Sequence, residues 1–214
     1  MWQQLHEELA PAGLQVVSVA LESGGPDAAA EWIERANPTY PCLVDCHHIV
    51  ADRYGITNVP VAVWIDESGT IVRGPEPAGT TDAFRQMDRT DYSLPREART
   101  ELRETRQRYL EAIRDWVHQG AESRYVSQGP ADSPPREHYE ALVRFTLGQH
   151  LYRHGQHEEG LSFLHEAQRL APDSWAIRRQ TWALEDPAKA GGPEFWAAVD
   201  ALGEGRYYPE LKLE

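Results

Sequence analysis

Cys42-Leu-Val-Asp-Cys46-His47-His48 is the densest run of reactive side chains in the chain. Cys46 follows Asp45, a natural N-cap, so it is expected in the first turn of a helix over residues 46–54. There the helix dipole and free N–H groups favour a thiolate, and a protonated His47 or His48 adds positive charge beside it. Asp45, His47 and His48 are therefore the expected tuning groups of a thiol at Cys46. Cys42 lies on an expected extended segment, residues 42–44, across a strand-to-helix bend. A disulfide needs Cα atoms within about 7 Å, which a bend permits. Cys42 and Cys46 are thus the candidate catalytic residues, as a redox pair or a peroxide-sensing thiol. The same thiols with His47 and His48 have the donor types of a tetrahedral metal site. Adjacent histidines on a helix diverge by about 100°, however, so at most one can join the cysteines. A plain structural reading is also open, with Cys42 buried in a strand and Cys46 and the histidines on an exposed helix start.

Outside this cluster the chemistry is sparse. His150 and His154 share a helix face at i, i+4 spacing, a workable metal clamp, but they read more simply as the polar rim of a helix. Glu7-Glu8 and Glu158-Glu159 read as solvated faces. No phosphate-binding glycine loop, Gly-x-Ser-x-Gly elbow or His-Glu-x-x-His run is present. No metal or cofactor is assigned.

Composition limits the partners. The 214 residues are 41% hydrophobic and 26% charged with seven Trp, enough for packed cores and against global disorder. A net charge of −13, with no run of Lys or Arg, argues against nucleic acid and anionic membrane surfaces as partners. No stretch approaches the roughly 20 apolar residues of a membrane span. The amphipathic, acidic first ten residues do not form a secretory signal, and two cysteines do not demand an oxidising compartment. The expected location is cytoplasmic. Expected partners are a protein or a thiol or disulfide substrate, with homo-oligomerisation left open.

The elements follow from periodicity and punctuation. Trp2, Leu5 and Leu9 recur at helical spacing. Residues 14–21 read as a buried β-branched strand, and Asp27 as the cap of a helix over 28–36. Residues 46–54 are the next expected helix, stopped by Gly55. Val59-Pro60 leads into a strand over 61–65, a turn at Asp66-Glu-Ser-Gly69 and a second strand from Thr70. Residues 76–93 read as a linker and 94–118 as a long helix with Leu102, Tyr109, Leu110, Ile113 and Trp116 on one side. A polar linker over 119–135 precedes a helical region. In it the small residues Gly148, Gly160 and Ala167 allow two helices to approach closely, with Gly155 at the turn. An aromatic tail around Phe195, Tyr207 and Tyr208 closes the chain.

Tyr54-Gly-Ile-Thr-Asn-Val-Pro60, with the strands on either side of it, resembles the second half of a thioredoxin-like (redoxin) domain. The resemblance covers residues 1–75 and implies an α/β domain in which Pro60 is the cis-proline. It also implies that Val59 and Pro60 receive an extended substrate chain opposite the thiols. The family's first strand and Cys-x-x-Cys motif have no counterpart here. That strand is central in the family's sheet, so the expectation is a reading frame extending upstream of Met1 to a Cys-x-x-Cys or selenocysteine motif. Leu147, Gly148, Leu151, Leu164, Ala167 and Pro172 are similar to one tetratricopeptide repeat, over 141–174. The expected architecture is thus a truncated thioredoxin-like α/β domain followed by an all-α helical-hairpin domain over 94–214. The implied function is a thiol oxidoreductase with a helical partner-docking module. The alternative is a non-catalytic protein-binding scaffold, and a weaker alternative is metal or cofactor binding at Cys42, Cys46, His47 and His48.

Overall fold

The computed structural model describes residues 1–126 and 136–213, so part of the expected 119–135 linker lies outside the described residues. Among the described residues the chain is mixed α/β, with eight α-helices and four strands in two two-stranded sheets. No described helix is long and apolar enough to cross a membrane. Two compact units form. One comprises Met1–Gln15, Pro60–Ala131 and Ala198–Glu214, and the other Val16–Val59 and Asp132–Ala197. They interleave along the chain, whereas the expected domains follow one another.

The first unit is built on Trp64. Helix α1 (Trp2–Leu9) contributes Leu5 and Leu9 to its core, strand β3 (Val61–Ile65) contributes Trp64, and the 24-residue helix α4 (Arg96–Gln119) contributes Tyr109, Ala112 and Ile113. The Trp64 indole stacks on Trp116 at 5.1 Å and donates its N–H to the Tyr109 hydroxyl at 3.0 Å. The hairpin from β3 to β4 (Ile71–Pro77) therefore belongs with the long helix. Its turn is the expected one: Asp66 Oδ1 accepts from the N–H groups of Ser68 and Thr70, both at 2.9 Å.

The expected linker over 76–93 is packed. Ala78 and Ala83 are buried, and Gly79 passes so close to α4 that an added Cβ would lie 3.2 Å from Arg106 Cα. Its Gly and Pro content reflects close approach as well as chain reversal. The expected aromatic tail anchors here: Phe84 meets the rings of Tyr207 and Tyr208, whose N–H groups both donate to Asp82.

The second unit holds β1 (Ser18–Ala20) and β2 (Cys42–Val44), paired in parallel with Ser18 opposite Cys42. The strand expected over 14–21 is shortened to three half-buried residues, because a single three-residue partner can satisfy only a short ladder. Helix α2 (Pro26–Ala36) begins at Pro26 with Gly25 as N-cap, and Asp27 falls in its first turn instead of capping it. Helix α3 (Ile49–Arg53) stops where expected: Ile56 N–H donates to Ala51 C=O and Gly55 N–H to Asp52 C=O, with Gly55 at φ +64.

Helices α5 (Arg136–Arg153) and α6 (His157–Leu170) form the expected hairpin. Ala141, Phe145, Leu164 and Ala167 meet Ile177 of α7 (Trp175–Glu185) in one cluster. The expected close approach is present, since a Cβ on Gly148 would lie 2.8 Å from Gly160 O. Ser174 caps α7 through its hydroxyl, and Phe195 of α8 (Pro193–Asp200) packs against Trp175.

Candidate functional site

Asp45 does cap a helix, but not one that contains Cys46. Its carboxylate reaches past Cys46, His47 and His48 to accept from the N–H groups of Ile49 (2.8 Å), Val50 (2.7 Å) and Ala51 (3.1 Å). The three intervening residues form a turn ahead of α3, with His48 at φ +57. The N–H groups expected to face the Cys46 sulfur face Asp45 instead. Asp45→Ala leaves three N–H groups without their acceptor, the one on Ala51 buried. The expected cost is about 2 kcal/mol, read as lost hydrogen-exchange protection at residues 49–51, with Asp45→Asn falling between the two.

His48 is an anchor within the protein rather than a tuning group for a thiol. It is buried, with its ring edge-on to Phe145 at 4.9 Å and Nε2 3.3 Å from Ser23 Oγ. Gln149 Nε2 donates to the same oxygen at 2.6 Å, and Ser23 N–H donates to Gln180 Oε1 at 2.7 Å. Burial pushes the imidazole down to about 4; the Asp45 carboxylate opposes this, and Arg153 and His47 reinforce it. His48 is therefore neutral at physiological pH.

The two cysteines are both free thiols with different surroundings. The Ser18 hydroxyl donates to Cys42 Sγ at 2.9 Å across the ladder, and the Cys42 thiol faces Tyr40 C=O at 3.8 Å. Cys46 lines a cleft of about 470 Å³ together with Ser23, His47, Tyr152, Arg153 and His157. Arg153 closes one wall: Nη1 donates to His47 Nδ1 at 2.9 Å, and Nη2 donates to Cys46 C=O. All of these residues belong to the second unit.

The remaining expected residues lie elsewhere. Val59 N–H donates to Asn58 Oδ1 at 2.8 Å, and Pro60 C=O accepts from Ala78 N–H at 3.2 Å. Val59 ends a segment of the second unit and Pro60 begins one of the first, and neither lines the cleft. His154 Nδ1 donates to the carbonyl of His150 at 2.7 Å, so that ring nitrogen is spent within the helix. Among the described residues, no three His, Cys, Asp or Glu side chains are grouped to hold a metal ion. Arg153 and Ser23 were not expected at the site. Arg153 is 107 residues from Cys46 in sequence, and no local pattern announces the pairing.

No family model, curated protein or solved structure matches the chain.

Proposed function

We propose that the chain is a thioredoxin-like thiol oxidoreductase whose reacting group is Cys46, with the α5–α6 hairpin as a tetratricopeptide-like docking module. The observation that carries this reading is the cleft: Cys46 is a free thiol in a concave site beside a guanidinium, while Cys42 is engaged with Ser18. The Tyr54–Arg73 resemblance supplies the family, and the parallel pairing of β1 and β2 is compatible with it. The reaction is monothiol exchange. The Cys46 thiolate attacks one sulfur of a partner disulfide, that S–S bond breaks, a mixed disulfide forms at Cys46, and the other sulfur leaves as a thiolate. A low-molecular-weight thiol then attacks the mixed disulfide, restoring Cys46 and taking the partner sulfur into a new disulfide.

Thiol titration and disulfide-reduction assays of Cys46→Ser and Cys42→Ser test this. Cys46→Ser is expected to lose turnover entirely, and Cys42→Ser to keep it. Loss in both variants replaces monothiol exchange with a Cys42–Cys46 pair, and unchanged turnover in Cys46→Ser overturns the reading.

A second reading has its own observation. Tyr139, Val143 and Leu147 recur every four residues on α5 and are 50%, 67% and 39% exposed. Such a stripe fits a non-catalytic scaffold that lays this face against a partner. On that reading Val143→Glu abolishes complex formation while Cys46→Ser leaves it intact.

A further inference from the structure

The cleft beside Cys46 is charged against the trend of the chain. The sequence holds 34 Asp and Glu against 21 Lys and Arg, yet among the described residues no Asp or Glu lines the cleft, while Arg153, His47 and His157 do. The carboxylates that precede lining residues in the chain are turned to backbone, Asp45 to Ile49, Val50 and Ala51, and Glu22 to Gly24 N–H at 2.8 Å, and Glu185, which follows lining Leu184, is paired with Lys189 at 3.0 Å. Of the five N–H donors on a guanidinium, the Arg153 bonds to His47 and Cys46 use two. Because Arg153 can only donate, His47 Nδ1 is the acceptor in that pair, and a neutral His47 carries its proton on Nε2 as a further donor. His157 stands at the start of α6 with its ring 4.5 Å from that of Tyr152.

We infer that this cleft selects anionic partners, and that its preferred small substrate is a disulfide bearing a carboxylate beside the reacting sulfur. The sulfur meets Cys46, and the carboxylate meets Arg153, His47 and His157. The volume of about 470 Å³ suits such a molecule. The inference rests on Cys46 as the reacting thiol for its chemistry, whereas the recognition of an anion stands on the cleft's charge alone. Local charge must here outweigh a chain that repels anions at long range, so the sign of the preference is informative.

Three disulfides with the same two-methylene arms test it: dithiodipropionate (anionic), hydroxyethyl disulfide (neutral) and cystamine (cationic). Adduct formation at Cys46 is followed by peptide mapping, each rate being divided by that of 2-mercaptoethanol, an uncharged reference thiol, with the same reagent. The expected order is anionic, neutral, cationic, with about tenfold between the first two. Raising salt to about 1 M, where screening acts within roughly 3 Å, compresses the order. Arg153→Gln abolishes it, while Arg153→Lys preserves the charge and most of the preference. A cationic-first order, or one indifferent to salt, overturns the inference. Thiodipropionate, a thioether that cannot exchange, separates the two readings. Perturbation of the His47 and His157 imidazole resonances by it, with no adduct from any disulfide, sinks Cys46 as the reacting thiol and leaves the anion site standing. No perturbation by it removes the anion site.

Discussion

Gly160→Ala is expected to destabilise the second unit by about 3 kcal/mol, and Gly148→Ala by a similar amount. On an isolated helix the sign would be opposite, since alanine is favoured over glycine by about 1 kcal/mol. The hairpin reverses it. A Cβ on Gly160 would lie 2.8 Å from Tyr152 N and 2.9 Å from Gly148 O, and one on Gly148 would lie 2.8 Å from both Gly160 O and Leu164 Cγ. Most of these obstacles are backbone atoms of the facing helix, which cannot rotate aside. Relief requires the two helices to separate, which loosens the cluster of Ala141, Phe145, Leu164 and Ala167. Overpacking of this kind costs about 1–3 kcal/mol and occasionally more, and here it acts along a whole helix pair. Gly191→Ala is the control. It has an ordinary φ of −140 and open space around it, so its effect is expected within about 0.5 kcal/mol. Urea unfolding followed by circular dichroism reads all three, and equal midpoints for Gly160→Ala and Gly191→Ala would show that the helices are not in close approach.

That close approach was legible because small residues at fixed spacing are a local signal. So were the α3 stop at Gly55, the Asp66 turn and the long α4, each set by neighbours within a few residues. What sequence could not show is set by distant partners. Asp45 looks like a cap for Cys46 because capping residues usually serve the next few positions. Its carboxylate serves Ile49, Val50 and Ala51 because His48 turns the chain first. The glycines and prolines of residues 76–93 read as linker chemistry, yet Gly79 marks a backbone crossing over α4. At the site, Cys46 and His47 were identifiable by type. Arg153 carries no local signal, since its role depends on α5 passing the turn after β2. His48 reads as a tuning group for a thiol because exposure cannot be told from a run of adjacent histidines. Its burial against Phe145 and Ser23 gives it a different role.

That burial makes the second unit acid-sensitive in a defined window. The ordinary histidine value is about 6.5, and in the folded chain His48 is pushed down to about 4. Between those values the unfolded chain binds a proton at this position and the folded chain does not. Stability therefore rises with pH across the window and is lost on acidification from about 6.5 toward about 4. At about 1.4 kcal/mol per decade of pH, the full passage removes about 3 kcal/mol. The charged and titratable groups acting on the ring do not cancel this. Asp45 opposes the effect, but its carboxylate is committed to the α3 amides, and Arg153 and His47 work in the same direction as burial. A protonated ring would also lose Ser23 as a donor, while the Ser23 oxygen already accepts from Gln149. His48→Asn isolates the contribution, because asparagine tolerates the positive φ of this position and does not titrate. Urea unfolding of both proteins at intervals from about pH 7.5 to about pH 4 gives a difference curve free of the acidic surface they share. The expected curve narrows by about 3 kcal/mol as pH falls through the window, and parallel curves would show that His48 is not held neutral in the folded chain. Because His48 sits next to the Cys46–His47 turn, the same acid step should release protection of the amides at residues 46–51 before the α5–α6 hairpin opens.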